Sequence, residues 1–295
     1  MRKLISLIMA VLVVFTAFGT PISAFALDNI PQKSNTVNGL TPSGTFNVGG
    51  FVFKIWSNLN KEAILWEYNG TDTDIVIPKE VEGYTVTAIQ TNAFKEMDIE
   101  SVVIPEGVTF INYGAFQNCK NLKKVVMQGN MDIIESYAFS YCYNLEEVIM
   151  PDTLNEIGSN AFYNCESLKS IVIPEGVKTI SSTAFTYCSS LESVVMADSV
   201  TKLEDYVFSD CGALKEVKLS ENLKTMGIGN FREDKSLKNI VLPGSIEEVS
   251  HSTFKGCDSL ETVVFSDGYS AVVSEEMFAD CVSLKKLCLP IVLPD

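Results

Sequence analysis

Seven of the eight cysteines in this 295-residue chain fall in register, at Cys119, Cys142, Cys165, Cys188, Cys211, Cys257 and Cys281. A column of thiols could hold a metal, form a ladder of disulfides or fill a core. Zinc needs ligands clustered as in Cys-x-x-Cys and converging as a tetrahedron. The tightest pair here, Cys281 and Cys288, has six residues between its members, so no metal is expected. Stacked neighbours would come within disulfide distance, but their Cβ vectors would run parallel into a core and not toward one another. Export would favour oxidation, so disulfides stand as the alternative to buried thiols packed as small apolar groups.

Acid–base or nucleophilic catalysis would have to rest on His251, the single histidine. Its repeat position is held elsewhere by residues as unlike as Tyr113, Ser159 and Asp205, which marks an exposed, permissive site and not a tuned base. The chain has no glycine-rich phosphate loop and no dinucleotide fingerprint. No catalytic residue and no cofactor are expected. Acidic residues recur at Glu106, Asp152, Glu175, Asp198, Glu221 and Asp267, in turns where such residues often serve local structure, with cation binding as the other reading. Tyrosines gather at Tyr113, Tyr137, Tyr141, Tyr143, Tyr163 and Tyr187. They suit packing and interface anchoring equally, so Tyr137, Tyr141, Tyr163 and Tyr187 form one candidate partner-binding set.

The elements that would position these columns come from one repeat. Phe94, Phe116, Phe139, Phe162, Phe185, Phe208, Phe231, Phe254 and Phe278 lie 23 residues apart, with 22 and 24 at the two extremes. A fixed period of that size marks a repeat array. The typical unit carries an "AF" corner, a cysteine three residues on, a leucine six on, a short β-branched run often closed by proline, and a second apolar pair such as Val177 and Ile180. No unit could bury its apolar side alone, and stacking makes the columns one continuous core. A charge row seven residues past most phenylalanines reads Glu100, Lys123, Glu146, Lys169, Glu192, Lys215, Lys238, Glu261, Lys285. Its alternating signs favour one register over a slip by one rung. At Phe231 the pattern departs: Asn230 replaces alanine and Asp234 replaces cysteine, so this rung is expected to be the loosest.

The repeated unit resembles that of the BspA-type leucine-rich repeats of bacterial surface proteins, "AFxxCxxLxxVxIPxxVxxI", from about Asp72 to Pro290. The resemblance implies an α/β solenoid: about nine 23-residue rungs, a parallel sheet on a concave face, short second strands, helical corners and an N-terminal β-hairpin cap. On that face the residues pointing away from the core would be Val103, Val126, Ile149, Val172, Val195, Lys218, Val241, Val264 and Cys288. A long exposed apolar stripe often marks a partner surface, although valine and isoleucine also simply make good strands. Val126, Ile149, Val172, Val195, Lys218, Val241 and Val264 are the leading candidate partner-binding residues. The function implied is non-catalytic and adhesin-like, binding extracellular proteins or cells. The alternatives are a passive spacer or assembly module, or an accessory domain of a secreted hydrolase.

The ends complete the organisation. Arg2 and Lys3 precede an apolar run from Leu4 to Phe18, followed by Ala24-Phe25-Ala26, which reads as a secretory signal peptide over residues 1–26 cut after Ala26. Its removal takes the formal charge from −15 to −17, since it carries those two cations and no anion. Such a surface disfavours nucleic acid. Residues 27–44 read as a flexible leader, 45–71 as the hairpin cap, 72–290 as the solenoid and 291–295 as a tail. No later run is long and apolar enough to span a bilayer, so a secreted or cell-surface location is expected. The last rung has no recognisable cap, and self-association through it is expected as one way of covering it.

Overall fold

The computed structural model describes residues 44–274 and 276–289. The expected signal peptide, residues 27–43 of the leader, and the tail lie outside them. Each repeat contributes a first strand of three or four residues: Asp74–Val76, Ser101–Ile104, Lys124–Met127, Glu147–Ile149, Ser170–Ile173, Ser193–Met196, Glu216–Lys218, Asn239–Leu242, Thr262–Phe265 and Lys286–Cys288. That is one strand more than the phenylalanine count gives. The extra rung begins at Tyr68, which stacks on Phe94 with centroids 5.3 Å apart. Its N–H donates to the Ala93 carbonyl just as Phe94 N–H donates to that of Ala115. Tyr68 therefore takes the phenylalanine's place.

Pro105, Pro151, Pro174 and Pro243 follow first strands because proline has no N–H to extend a ladder. Their carbonyls instead close turns, accepting from the N–H of Val108, Leu154, Val177 and Ile246 at 3.1 to 3.3 Å. The second strands are two residues long, from Phe110–Ile111 to Glu248–Val249. With the N-terminal strands they form one twelve-stranded sheet. The first strands, expected as one sheet, form three, of four, three and three strands. The divisions fall between Glu147–Ile149 and Ser170–Ile173, and between Glu216–Lys218 and Asn239–Leu242.

The expectation of an α/β class with helical corners is corrected: the described residues contain no helix. Residues two before and two after each corner phenylalanine repeatedly adopt positive φ, as at Asn92 (59°), Glu96 (63°), Asn160 (57°) and Asn164 (61°). Two left-handed residues within five cannot continue a right-handed helix. The corner N–H groups bond to the next rung instead: Phe116 to Ala138 O at 2.8 Å, Phe139 to Ala161 O at 2.8 Å, Phe162 to Ala184 O at 2.8 Å. The corner is thus a third inter-rung ladder, and the rungs are all-β.

The core is the stack of columns. Phe94 through Phe278 lie ring over ring at centroid separations of 4.7 to 5.8 Å, within 10° of parallel. At the N-terminus the cap region holds three strands and not two. Thr45–Val48, Phe51–Ser57 and Glu62–Tyr68 pair antiparallel, and the last pairs parallel with Tyr84–Ile89. Phe51 and Tyr68, 4.8 Å apart, close the aromatic stack. Trp56 stands 72% exposed and takes no part in that closure.

Candidate functional site

Alternation along a strand sends every second residue outward, and the first strands obey it. Val102, Val125, Ile171, Val194, Ile240 and Val263 are buried, and the candidate row points the other way. Val172 is 63% and Val241 42% exposed. Lys218 is exposed, whereas Val126, Ile149, Val195 and Val264 are half-buried. Parallel pairing places Val126 beside Ile149, Val172 beside Val195, Val195 beside Lys218 and Val241 beside Val264. The row is therefore three short apolar stretches, divided where the sheet divides and interrupted by one cation.

The charge row is closed at three places: Lys123 to Glu100 at 2.6 Å, Lys215 to Glu192 at 2.8 Å and Lys285 to Glu261 at 3.3 Å. The Lys215 hydrogen bond and charge hold the Glu192 carboxyl below its ordinary range. Lys215 and Lys238 carry like charge across the second division of the first-strand sheet.

The cysteines donate where a column of thiols can. Each Sγ reaches the carbonyl of the preceding rung's phenylalanine: Cys119 to Phe94 at 3.0 Å, Cys142 to Phe116 at 3.3 Å, Cys165 to Phe139 at 3.3 Å, and so on to Cys281 and Phe254 at 3.0 Å. All eight are free thiols. Burial pushes Cys119 up to about 12 and Cys142, Cys165 and Cys211 well above the usual thiol range. A thiolate is the species that reacts and ligates metal, so these groups are poorly suited to either.

At the irregular rung Asp234 occupies the thiol's place. It is wholly buried, its Oδ1 accepts from Cys211 N–H at 2.9 Å, and its Oδ2 has no hydrogen-bond partner among the described residues. Desolvation raises its carboxyl well above the usual range, and the nearby Asp210 and Glu233 charges add to this. Asn230, also buried, accepts from Val207 N–H at 3.3 Å and donates to Gly227 O at 2.9 Å. Side chains therefore replace backbone bonds at this corner, at the cost of an unpaired buried oxygen on Asp234.

His251 is exposed and its Nδ1 lies 3.1 Å from Ser252 Oγ. Glu276 bonds the same hydroxyl directly at 3.2 Å. A relay needs the imidazole between hydroxyl and carboxylate, with one ring nitrogen on each, and here one nitrogen faces both. The acidic turn residues serve local structure where bonds are seen, as Asp198 Oδ1 accepting from Glu221 N–H at 3.0 Å. Among the described residues no group of three or more His, Cys, Asp or Glu side chains is placed to hold a metal.

Three of the four candidate tyrosines come together. Tyr141 and Tyr163 lie 5.5 Å apart, as do Tyr163 and Tyr187, both pairs edge to face; Tyr137 pairs with Tyr113 at 5.3 Å. The sequence reading passed over Tyr206, which lines a depression with Tyr163 and Tyr187. Its signal was present, since Tyr206 and Tyr137 share the position two residues before a corner phenylalanine.

The model for the BspA type leucine rich repeat region matches six copies, over residues 68–192 and 178–293. A leucine-rich repeat protein from Bacteroides ovatus is 28% identical, with a TM-score of 0.55 over 89% of this chain and 77% of that one. The leucine-rich repeat protein of T. pallidum is 26% identical, with a TM-score of 0.55 over 79% of this chain and 91% of its own. No curated protein sequence matches the chain.

Proposed function

Because this chain belongs to the BspA-type leucine-rich repeat family, we propose that it is an adhesin-like binding protein, secreted or held at a bacterial cell surface, that captures extracellular proteins or cells without catalysis. The observation that carries this reading is the outward first-strand row, where one side-chain position recurs on successive rungs and is held in register within each of three short sheets. A single valine contributes little, and a specific interface needs about 800 Å² on each partner. The partner must then span several rungs, and affinity belongs to the array.

The test replaces Val126, Ile149, Val172 and Val195 together by threonine, which keeps strand propensity. Capture of immobilised extracellular matrix proteins and of host cells is measured beside the circular dichroism spectrum. The expected result is an unchanged spectrum with capture lost. Capture retained by this variant removes the row from the interface. A wild-type chain that captures nothing in the screen turns the reading to a passive spacer.

A further inference from the structure

The corner positions at positive φ mostly carry residues that tolerate it, such as Asn92, Asn118, Asn160, Asn164 and Gly114. Tyr137, Tyr141, Tyr187 and Tyr206 adopt the same conformation, at φ 57° to 62°, with a bulky ring that disfavours it. Inter-rung hydrogen bonds impose that conformation at these positions, Tyr187 N–H donating to Ser209 O at 3.1 Å and Tyr206 N–H to Ile228 O at 2.7 Å, and so fix where each ring stands. Two of the four, Tyr187 and Tyr206, line with Tyr163 a depression of about 380 Å³ that also presents Asp210, Arg232 and Glu233.

The depression is built and not incidental. Gly229 on the next rung leaves room for the Tyr206 ring: a Cβ there would stand 2.5 Å from it. The Thr186 hydroxyl donates to the Tyr206 carbonyl at 2.5 Å, and Ser209 Oγ donates to Asp210 Oδ2 at 2.7 Å, fixing that carboxylate. Tyr163 and Tyr187 meet at 90°, so each ring sets the other's orientation. The hydroxyls of Tyr163, Tyr187 and Tyr206 and the Arg232 guanidinium make no hydrogen bond or ion pair among the described residues.

The chemistry selects the ligand. Arg232 only donates, Asp210 and Glu233 ionised only accept, and the phenols do both. A cationic ligand meets Arg232, and an anionic one meets Asp210 and a Glu233 that Lys235 already pairs at 3.7 Å, on a chain of net charge −15. A neutral ligand bearing many hydroxyl groups, each donor and acceptor at once, satisfies all of them. The C–H faces of its rings suit aromatic side chains. We propose that the Tyr163–Tyr187–Tyr206 depression, continued along the array by Tyr141, is a binding site for a neutral linear polysaccharide. The site shares no residue with the first-strand row and stands or falls separately from it.

The test titrates the chain with cellohexaose, chitohexaose, maltohexaose and mannohexaose by calorimetry, with dextran sulfate as anionic probe and a trimethylammonium-bearing peptide as cationic probe. At least one neutral hexasaccharide is expected to bind. Tyr187→Asn with Tyr206→Asn should weaken it at least tenfold while the melting temperature stays level or rises, because asparagine suits the left-handed backbone. The four-valine variant should bind the sugar as the wild type does. Failure of every neutral sugar, binding of only a charged probe, or undiminished binding by the double tyrosine variant would each overturn the proposal.

Discussion

Asp234 sets a carboxyl group in a slot shaped for a thiol, and that single exchange gives the protein a pH dependence. Its folded pKa is raised, so the folded state holds the proton more tightly than the unfolded state, whose aspartate titrates near pH 4. The stability tied to this proton is whole below that range and declines as pH rises toward the folded pKa. Asp234→Cys is therefore expected to raise stability at pH 7 by about 1 to 3 kcal/mol, the usual cost of an unsatisfied buried polar group. It should also flatten the fall in urea midpoint between pH 5 and pH 8; equal slopes in the two proteins would contradict the assignment. The six buried thiols, from Cys119 to Cys257, are expected to resist alkylation in the folded chain, whereas the half-buried Cys281 and Cys288 should react first. Iodoacetamide in denaturant without reductant should then modify all eight, as intact mass can count. Tyr187→Asn should stabilise by about 1 kcal/mol through relief of the left-handed conformation, checked by the same urea melts.

At the scale of the element, most of the rung was legible. The column of phenylalanine, cysteine and leucine, and the proline that ends the first strand, each act through burial or a missing N–H, and both leave marks in residue type. What stayed hidden was backbone conformation. Glu96, Thr183 and Glu233 carry positive φ although nothing in their side chains announces it, because hydrogen bonds to the neighbouring rung impose it. Corners expected to be helical are therefore a ladder. The first rung escaped notice because Tyr68 replaces the phenylalanine at an irregular spacing. Of the candidate surfaces, the outward row followed from strand alternation. Tyr206 was missed because its depression is completed by Arg232 and Glu233 from the next rung. Within the stack, Phe162→Ala should cost about 3 to 5 kcal/mol, whereas Ser182→Ala should cost much less. Comparable small losses in urea melts would deny the ring column its place in the core.

In a stack, each rung touches only its neighbours, and stability is a sum of rung and interface terms. Both tryptophans lie in the N-terminal strands, so their fluorescence reports that end while circular dichroism reports the array. The weakest interface is expected between the rungs of Lys215 and Lys238, where a break in the first-strand sheet, like charges and Asp234 coincide. Thermal unfolding should then occupy more than one transition, and the fluorescence and dichroism midpoints should differ. A single coincident transition would mean that this interface does not uncouple the two sides. The three ladders also have a mechanical consequence. A joint fastened at three points around its rim is rigid, while one fastened at two can rock about the line between them. Where the first-strand ladder is interrupted, the second strands and the corners still hold. The two interruptions are thus where small bending of the array is expected, between three stiffer blocks whose outward faces would then tilt to meet an uneven surface.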